Sequence, residues 1–437
     1  MSNKWKTSLC VLSLLTAAAC GSKEGAGTNA GDNAPAGNPA KPETKGPVEL
    51  VVVTPDADFN EAFIERLGKK FPNYTIRHIN QSTKGNSIPE LLTNGTPIDL
   101  YGKSAGGFAE EYIANRLQYD MTDLIKTYNI NPADYEKGLV DYVRKLSDGK
   151  MYALPGNGNN LVVFYNKTVF DRFGVPYPKN GMTWQEMMEL AKKLTRVEGD
   201  KSYIGLSVHT QLLLNWNQMG LPFVDPKNGS PTMNKDERWR TFFQTIFGEP
   251  VLTQAYQAAG QTFTQGNNAF YAGTVGMMIF NSNTATLAGS NLEKMDWDMV
   301  SMPSFPGLAG VGTPMNATLW AVPAISRNKE AAMDVIAYLL SDEYMGEVSR
   351  RGKLVSKQTD AILKNFGSEA TPKDKNWSAI IHDKFAPFPE KAPFEPKILT
   401  INEKYANEYV AGKADLNSAL RMMEEEALKV IQQEKAK

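Results

Sequence analysis

The stretch Val48-Glu49-Leu50-Val51-Val52-Val53-Thr54 decides the fold. This run of apolar, mostly β-branched residues ends at Pro55, and it predicts a buried strand. Apolar residues at helical spacing follow over 59–71, and a second strand is predicted over 74–79. A strand, a helix and a strand in this order indicate a parallel sheet that is covered by helices.

The same alternation continues along the chain. Thr183 and Glu186 form a capping-box pattern, which marks the start of a helix at Trp184. Further strands are predicted at 98–101, 152–155, 161–165, 275–280 and 319–323, and further helices at 108–117, 184–195, 329–340 and 416–434. The pattern therefore predicts an α/β protein.

Length and composition narrow the class of protein. A chain of 437 residues is long enough for two or three domains. Its 47 basic and 48 acidic residues balance, so a nucleic-acid partner is not expected. Hydrophobic residues make up 42%, which excludes global disorder. Cys10 and Cys20 are its only cysteines, so the folded body is predicted to hold neither a disulfide framework nor a thiolate metal site.

The first 47 residues are predicted to be a targeting segment followed by a flexible tether. Residues 1–20 start with Lys4 and Lys6 and continue as a short uncharged stretch, which predicts a secretory signal. Small residues directly before Cys20 resemble a bacterial lipobox, which implies acylation of Cys20, palmitate included, and anchoring at the outer face of the cell membrane. A plain secretory signal is the alternative. Residues 21–47 lack Val, Ile, Leu, Met and aromatic residues, and are predicted to be a flexible tether.

Polar and aromatic side chains lie near the ends of the predicted strands, where open α/β sheets bind ligands. Asp and Asn engage hydroxyl groups through two atoms each, and Trp and Tyr cover the apolar face of a sugar ring. Alternative roles are a helix cap for Asp56, hinge turns for 157–160 and core packing for Trp320. Lys103 and Asn283 occupy comparable positions. The candidate ligand-binding residues are Asp56, Asp58, Tyr101, Ser104, Asn157, Asn159, Trp216, Asn281, Asn316, Thr318 and Trp320.

Several segments carry a family resemblance. Gly-Lys-Met-Tyr-Ala-Leu-Pro at 149–155, Phe-Tyr-Asn-Lys at 164–167 and Phe-Asp-Arg-Phe-Gly-Val-Pro at 170–176 resemble the extracellular solute-binding proteins of carbohydrate ABC importers, which include maltose-binding-like receptors. Later segments at 178–194, 273–280 and 302–340 fit the same family in the same order. The resemblance implies a two-lobed, periplasmic-binding-protein-like fold of type II, with mixed sheets flanked by helices and a cleft between the lobes.

The resemblance also implies a division of the chain and a function. The N-terminal lobe is expected to comprise residues 48–155 and 303–350, and the C-terminal lobe residues 156–302 and 351–437. A monomeric receptor of this kind captures a sugar or oligosaccharide without catalysis and delivers it to the transmembrane permease subunits of an ABC importer. It needs neither a cofactor nor a metal.

Two alternatives remain open from the residues alone. Gly102-Lys103-Ser104-Ala105-Gly106 matches the G-x-S-x-G nucleophile elbow, and His209 or His382 would complete a serine hydrolase triad. A small-residue loop beside a ligand cleft explains the same motif. The other alternative is a receptor for a non-sugar polar solute such as a peptide, with Arg350 and Arg351 as possible anchors.

Overall fold

The computed structural model describes residues 46–287, 289–392 and 394–436, which belong to one compact unit. The predicted signal segment, Cys20 and nearly all of the predicted tether lie outside the described residues. No helix in the described ranges is long and apolar enough to cross a lipid bilayer.

Strands and helices alternate along the described chain. The strands are β1 (Val48–Thr54), β2 (Tyr74–Asn80), β3 (Leu100–Ser104), β4 (Leu154–Asn159), β5 (Leu161–Asn166), β6 (Arg196–Glu198), β7 (Lys201–Val208), β8 (Val275–Asn281), β9 (Trp297–Val300), β10 (Val311–Gly312), β11 (Asn316–Ala321), β12 (Leu354–Val355) and β13 (Lys384–Phe385). The α-helices are α1 (Glu61–Lys70), α2 (Ile88–Thr93), α3 (Ala105–Phe108), α4 (Thr122–Thr127), α5 (Lys137–Leu146), α6 (Lys167–Phe173), α7 (Trp184–Leu194), α8 (Thr210–Asn215), α9 (Glu237–Phe247), α10 (Pro250–Ala259), α11 (Gly266–Tyr271), α12 (Lys329–Leu339), α13 (Asp342–Arg350), α14 (Asp360–Lys364), α15 (Glu395–Val410) and α16 (Leu416–Lys435). A π-helix spans Ala109–Ile113, and 3₁₀ turns span Pro132–Asp134, Ser282–Thr286, Asn291–Lys294 and Trp377–Ile380.

Two mixed sheets organise the chain. Lobe 1 is built on a sheet of order β12-β4-β11-β3-β1-β2, in which β1 runs parallel to β2 and β3 while β11 is antiparallel to both of its neighbours. Lobe 2 is built on a sheet of order β6-β7-β8-β5-β9, in which β7 and β8 are parallel. Helices α12 and α13 pack on the first sheet, and α7, α10 and α11 pack on the second. The predicted α/β class with mixed sheets is confirmed.

The chain passes from the first sheet to the second at one buried residue, Asn160. Its N–H donates to Ser282 Oγ at 3.2 Å, and its Nδ2 donates to the carbonyl of Ile380 at 2.9 Å. The next residue, Leu161, donates its N–H to Thr313 Oγ1 at 3.0 Å. Segments that are distant in sequence are therefore tied together where the lobes meet.

The predicted lobe boundaries stay predictions. The chain leaves the first sheet between Asn159 and Leu161 and re-enters it between Val300 and Asn316. It leaves the first sheet again beyond Val355.

Strand β4 extends further than its sequence predicts. The predicted strand stops at residue 155, because glycines and asparagines follow, yet β4 continues to Asn159 and pairs with both β11 and β12. A Cβ atom at Gly158 would lie 2.5 Å from Ala317 Cα, so only glycine allows β11 to approach this closely. The glycine here serves strand packing instead of a turn.

Trp320 fills the centre of the first sheet. It is 2% exposed, and it lies opposite Gly102 of β3 in the antiparallel register. A Cβ at Gly102 would lie 2.3 Å from the Trp320 ring, and one at Gly156 would lie 2.7 Å from Trp320 Nε1. Phe59 packs on the same indole with a centroid separation of 5.9 Å. The two glycines thus make the space that the indole occupies.

A buried charged cluster lies where a loop of residues 386–392 joins the lobes. Lys391 bonds to Asn215 Oδ1 at the end of α8, and its Nζ lies 3.5 Å from Glu395 Oε2. The same loop reaches lobe 1, where the Phe388 ring lies 5.0 Å from that of Tyr142. Burial raises the pKa of both Glu395 and the lobe 1 residue Glu110 to about 7.

We expect Gly102→Ala to destabilise the protein by about 1–3 kcal/mol, because the added methyl group overpacks the space of the indole. Gly106→Ala is the matched control, since its Cβ would meet no atom closer than 3.7 Å. Urea denaturation of both variants measures the difference in the free energy of unfolding. Equal stability of the two variants would show that the indole is not packed as described.

We expect Glu110→Gln to raise the melting temperature at about pH 8 and to leave it nearly unchanged at about pH 4. The native Glu110 binds a proton below a pKa of about 7, whereas an unfolded glutamate does so only below about 4.3. Wild-type stability therefore falls as the pH rises through this window, and glutamine removes that loss. The exposed Glu425, changed to Gln, is the control; the same pH response in both variants contradicts the assignment.

Candidate ligand-binding cleft

A cleft of about 610 Å³ lies between the two lobes. Lobe 1 supplies the segment after β1, the ends of β3 and β4, the start of β11 and the residue before β12. Lobe 2 supplies the 3₁₀ turn after β8 and the residue that follows it. The lining residues are Thr54, Pro55, Asp56, Ala57, Asp58, Asn60, Lys103, Ser104, Asn157, Gly158, Asn159, Asn283, Thr286, Leu287, Asn316, Thr318 and Lys353.

Most of the predicted site residues meet in this cleft. The parallel strands β1 and β3 end at the same edge of the sheet, which brings the residues that follow β1 beside the end of β3. The antiparallel strand β11 begins at that edge, opposite the end of β4. The predicted residues that line the cleft are Asp56, Asp58, Ser104, Asn157, Asn159, Asn316 and Thr318.

The structure places Tyr101 and Trp320 in the core of lobe 1 instead of on the cleft wall. Tyr101 is fully buried, stacks on Tyr112 with a centroid separation of 5.3 Å, and donates its hydroxyl to Glu111 Oε2 at 3.0 Å. Side chains alternate along a strand, so a residue near a strand end faces either the cleft or the helices. Their predicted ligand contacts have no support in this geometry.

Trp216 and Asn281 lie in lobe 2 beyond the lining residues. Asn281 ends β8, and Trp216 follows α8, the helix after the parallel strand β7. Trp216 Nε1 and Asn281 Oδ1 are buried and have no hydrogen-bond partner among the described residues. Buried polar atoms without a partner are costly, so each is a group that a bound solute or water would satisfy.

Asp56 is an oriented hydrogen-bond acceptor in the cleft. Its Oδ1 accepts the Asp58 N–H at 3.0 Å, and its Oδ2 accepts the Thr318 hydroxyl at 3.3 Å. Burial, followed by the charge of Asp58, raises the pKa of Asp56. A fixed carboxylate beside amide and hydroxyl side chains is suited to accept hydrogen bonds from the hydroxyls of a solute.

Two lysines that line the cleft are each held by a carboxylate. Lys353 Nζ lies 2.5 and 2.7 Å from the two oxygens of Asp58. Lys103 Nζ lies 2.5 Å from Glu111 Oε1. Lys353 was not among the predicted residues, because the two-residue strand β12 that follows it is too short to detect from sequence.

The apolar surface of the cleft is aliphatic. Pro55, Ala57 and Leu287 line it, and no aromatic ring is among the described lining residues. Leu287 is 60% exposed. The predicted aromatic platform, Trp216, lies outside this wall, and Leu287 supplies exposed apolar surface there.

The hydrolase alternative lacks its general base in this arrangement. Ser104 does end β3 and precede α3, as a nucleophile elbow would. However, His209 caps α8 and packs on Phe280, and His382 packs against Phe385, with no hydrogen bond from either ring to Ser104 among the described residues. In the same part of the chain, no group of three or more His, Cys, Asp or Glu is placed to hold a metal ion.

Sequence comparisons identify relatives of this chain. The model of the bacterial extracellular solute-binding protein family matches residues 52–346. The sn-glycerol-3-phosphate-binding periplasmic protein of Brucella abortus is 36% identical over 217 residues, which are 46% of this chain and 47% of that protein. Its counterpart in Agrobacterium fabrum is 26% identical over 214 residues, with the same coverage. The chain thus spans about half the length of these curated relatives.

Solved structures share the fold. A sugar transporter of Rhizobium etli in an open conformation has a TM-score of 0.70 at 23% identity, over 87% of this chain and 99% of that one. The cyclic alpha-maltosyl-1,6-maltose binding protein of Arthrobacter globiformis has a TM-score of 0.69 at 18% identity, over 89% and 100%. An Agrobacterium vitis solute-binding protein with bound D-mannitol has a TM-score of 0.59 at 19% identity, over 88% and 99%.

These likenesses confirm the predicted two-lobed fold. The family model covers more than half of the chain, and it matches the family that the sequence motifs indicate. The chain therefore belongs to the bacterial extracellular solute-binding protein family.

Proposed function

We propose that this protein is a lipid-anchored extracellular receptor that captures a sugar or oligosaccharide and delivers it to the permease of an ABC importer. The observation that carries the proposal is the cleft between two lobes, lined by the carboxylates Asp56 and Asp58 and by several amide and hydroxyl side chains, in a member of a solute-binding family. The receptor acts as a monomer, and capture needs no cofactor.

The chemistry of the lining supports a hydroxyl-rich solute. Asn157, Asn159, Asn283 and Asn316 each offer a donor and an acceptor, and Asp56 offers a fixed acceptor. Vicinal hydroxyls need this mixture, because each hydroxyl both donates and accepts. Proteins of the same fold have been solved with D-mannitol, ribitol and α-D-tagatose bound.

Capture works by closing the lobes on the solute. A solute that contacts Asp56 and Asn157 of lobe 1 and Asn283 of lobe 2 makes more contacts when the lobes are closed. Such differential contact shifts the equilibrium toward the closed form, with the crossings near Asn160 as the hinge. The closed form then presents both lobes to the permease.

Membrane attachment is the remaining part of the proposal. Cys20 follows three small residues, and residues 21–47 have the composition of a flexible spacer. Acylation of Cys20 would hold the receptor at the outer face of the membrane, and the spacer would let the lobes reach the permease.

We expect Asp56→Asn to weaken sugar binding by about 10- to 100-fold, because a hydrogen bond to a charged acceptor contributes about 1.5–3 kcal/mol. Isothermal titration with the tightest-binding sugar of a broad panel measures the effect. Asp374→Asn is the control, since Asp374 is an exposed carboxylate outside the cleft. No heat of binding from any sugar or polyol with the wild-type protein would overturn the sugar assignment.

We expect Cys20→Ala to move the protein from the membrane fraction to the soluble fraction and to abolish palmitate labelling. Cys10→Ala keeps the acceptor cysteine and should remain at the membrane, so it controls for damage to the signal segment. Palmitate labelling that persists in Cys20→Ala, or a soluble wild-type protein, contradicts the anchor.

A further inference from the structure

We propose that this cleft excludes phosphorylated solutes and accepts uncharged ones, because both of its lysines are neutralised by carboxylates that belong to the protein. The inference rests on the proposed function and narrows its ligand. It assigns Asp58 and Glu111 as specificity-determining residues that act through the lysines beside them.

The first built-in pair is Lys353 with Asp58. Both oxygens of Asp58 lie within 2.7 Å of Lys353 Nζ, so the carboxylate takes the ammonium through two contacts. The pair is only partly exposed, at 28% for Lys353 and 37% for Asp58. Partial burial reduces screening by solvent and makes the pair harder for an incoming anion to replace.

The second pair is Lys103 with Glu111, and its carboxylate is fixed from behind. Glu111 Oε2 accepts the Tyr101 hydroxyl at 3.0 Å and also contacts Gln81 Nε2. Lys103 Nζ in turn lies 3.2 Å from Gln81 Oε1. Tyr101 is fully buried, so the counter-ion of Lys103 is held in place before any solute arrives.

The summed charge leaves no place for an anion. Lys103 and Lys353 are the basic side chains among the described lining residues, and Asp56, Asp58 and Glu111 oppose them. With Asp56 ionised, the site carries one excess negative charge; with Asp56 protonated, it carries none. A phosphate would have to displace a carboxylate from its lysine or lie near Asp56, and both are unfavourable. A hydroxyl meets no such penalty.

The curated relatives are sn-glycerol-3-phosphate-binding proteins, whereas both lysines that line this cleft are paired with carboxylates of the protein. The matched region is about half of either protein, so similarity over that region does not establish that this chain binds the same ligand. Among the residues that the structure describes, the charge pattern of this cleft favours a neutral solute.

The test compares matched anionic and neutral probes on the full chain. Titration calorimetry and thermal shift with sn-glycerol-3-phosphate and inorganic phosphate should show no binding to the wild-type protein at millimolar concentration. D-mannitol, ribitol, α-D-tagatose and mannobiose form the neutral panel. A gain of function completes the test: Asp58→Asn and Glu111→Gln each free a lysine, and each should bind sn-glycerol-3-phosphate at least about 10-fold more tightly than the wild type.

Two control variants free a lysine outside the cleft. Glu65→Gln matches Glu111→Gln, since Glu65 pairs with Lys69 on α1 at 2.7 Å, and Asp374→Asn matches Asp58→Asn. Neither control should gain phosphate affinity. Circular dichroism melting curves identify a variant that fails to fold, and the other variant then decides the outcome.

Each outcome is decisive. Wild-type binding of sn-glycerol-3-phosphate as tight as that of the best neutral probe overturns the inference and leaves a solute receptor in place. Variants that gain no more phosphate affinity than their controls overturn it as well. If no neutral probe binds, the sugar assignment fails, while the gain of phosphate affinity in the variants still decides the role of the two carboxylates.

Discussion

Strand β4 ends in one sheet and β5 begins in the other, with the single residue Asn160 between them. One residue spans only about 3.5 Å, so the two sheets must meet at this point and diverge away from it. The cleft is the space that opens between the two sheets as they diverge. Asn157 and Asn159 line it because β4 continues up to the crossing residue. Buried hydrogen bonds from Asn160 and Leu161 to Ser282, Ile380 and Thr313 keep the crossing segments together. The position of the site thus follows from the one-residue connection between the two sheets.

Charges within the cleft are paired inside the protein, and this pairing shapes its chemistry. Each of Lys103 and Lys353 faces its own carboxylate, so the groups left to meet a solute are amides, hydroxyls and the oriented Asp56. Polar groups that are already held in place lose little conformational entropy when a solute binds, and this smaller cost increases the affinity. Because the charges are paired with each other, a cleft with several charged residues suits a neutral ligand.

Much of this architecture is predictable because strands and caps have local causes. The apolar run at Val48–Thr54 forms β1, the capping box at Thr183 starts α7, and the polar residues beyond β1 reach the cleft. Long-range packing is not local, and there the sequence misleads. Gly158 looks like a turn residue until β11 is seen against it. Trp320 could be a ligand contact or a core residue from its sequence, and its packing against Gly102 places it in the core. Likewise, Lys353 and Glu111 acquire roles only through partners that the fold brings near.

The indole of Trp320 and the two glycines that accommodate it, Gly102 and Gly156, form a packing unit in which each residue depends on the other two. Neither Gly102 nor Gly156 has room for a methyl group while the indole is present, and a smaller residue at 320 would leave a cavity between them. Coupled positions of this kind do not change independently, since each single replacement passes through a poorly packed intermediate. Across lineages that descend from this chain, the three positions should therefore be inherited as a block, and a lineage that loses the tryptophan should be free to fill both glycine sites.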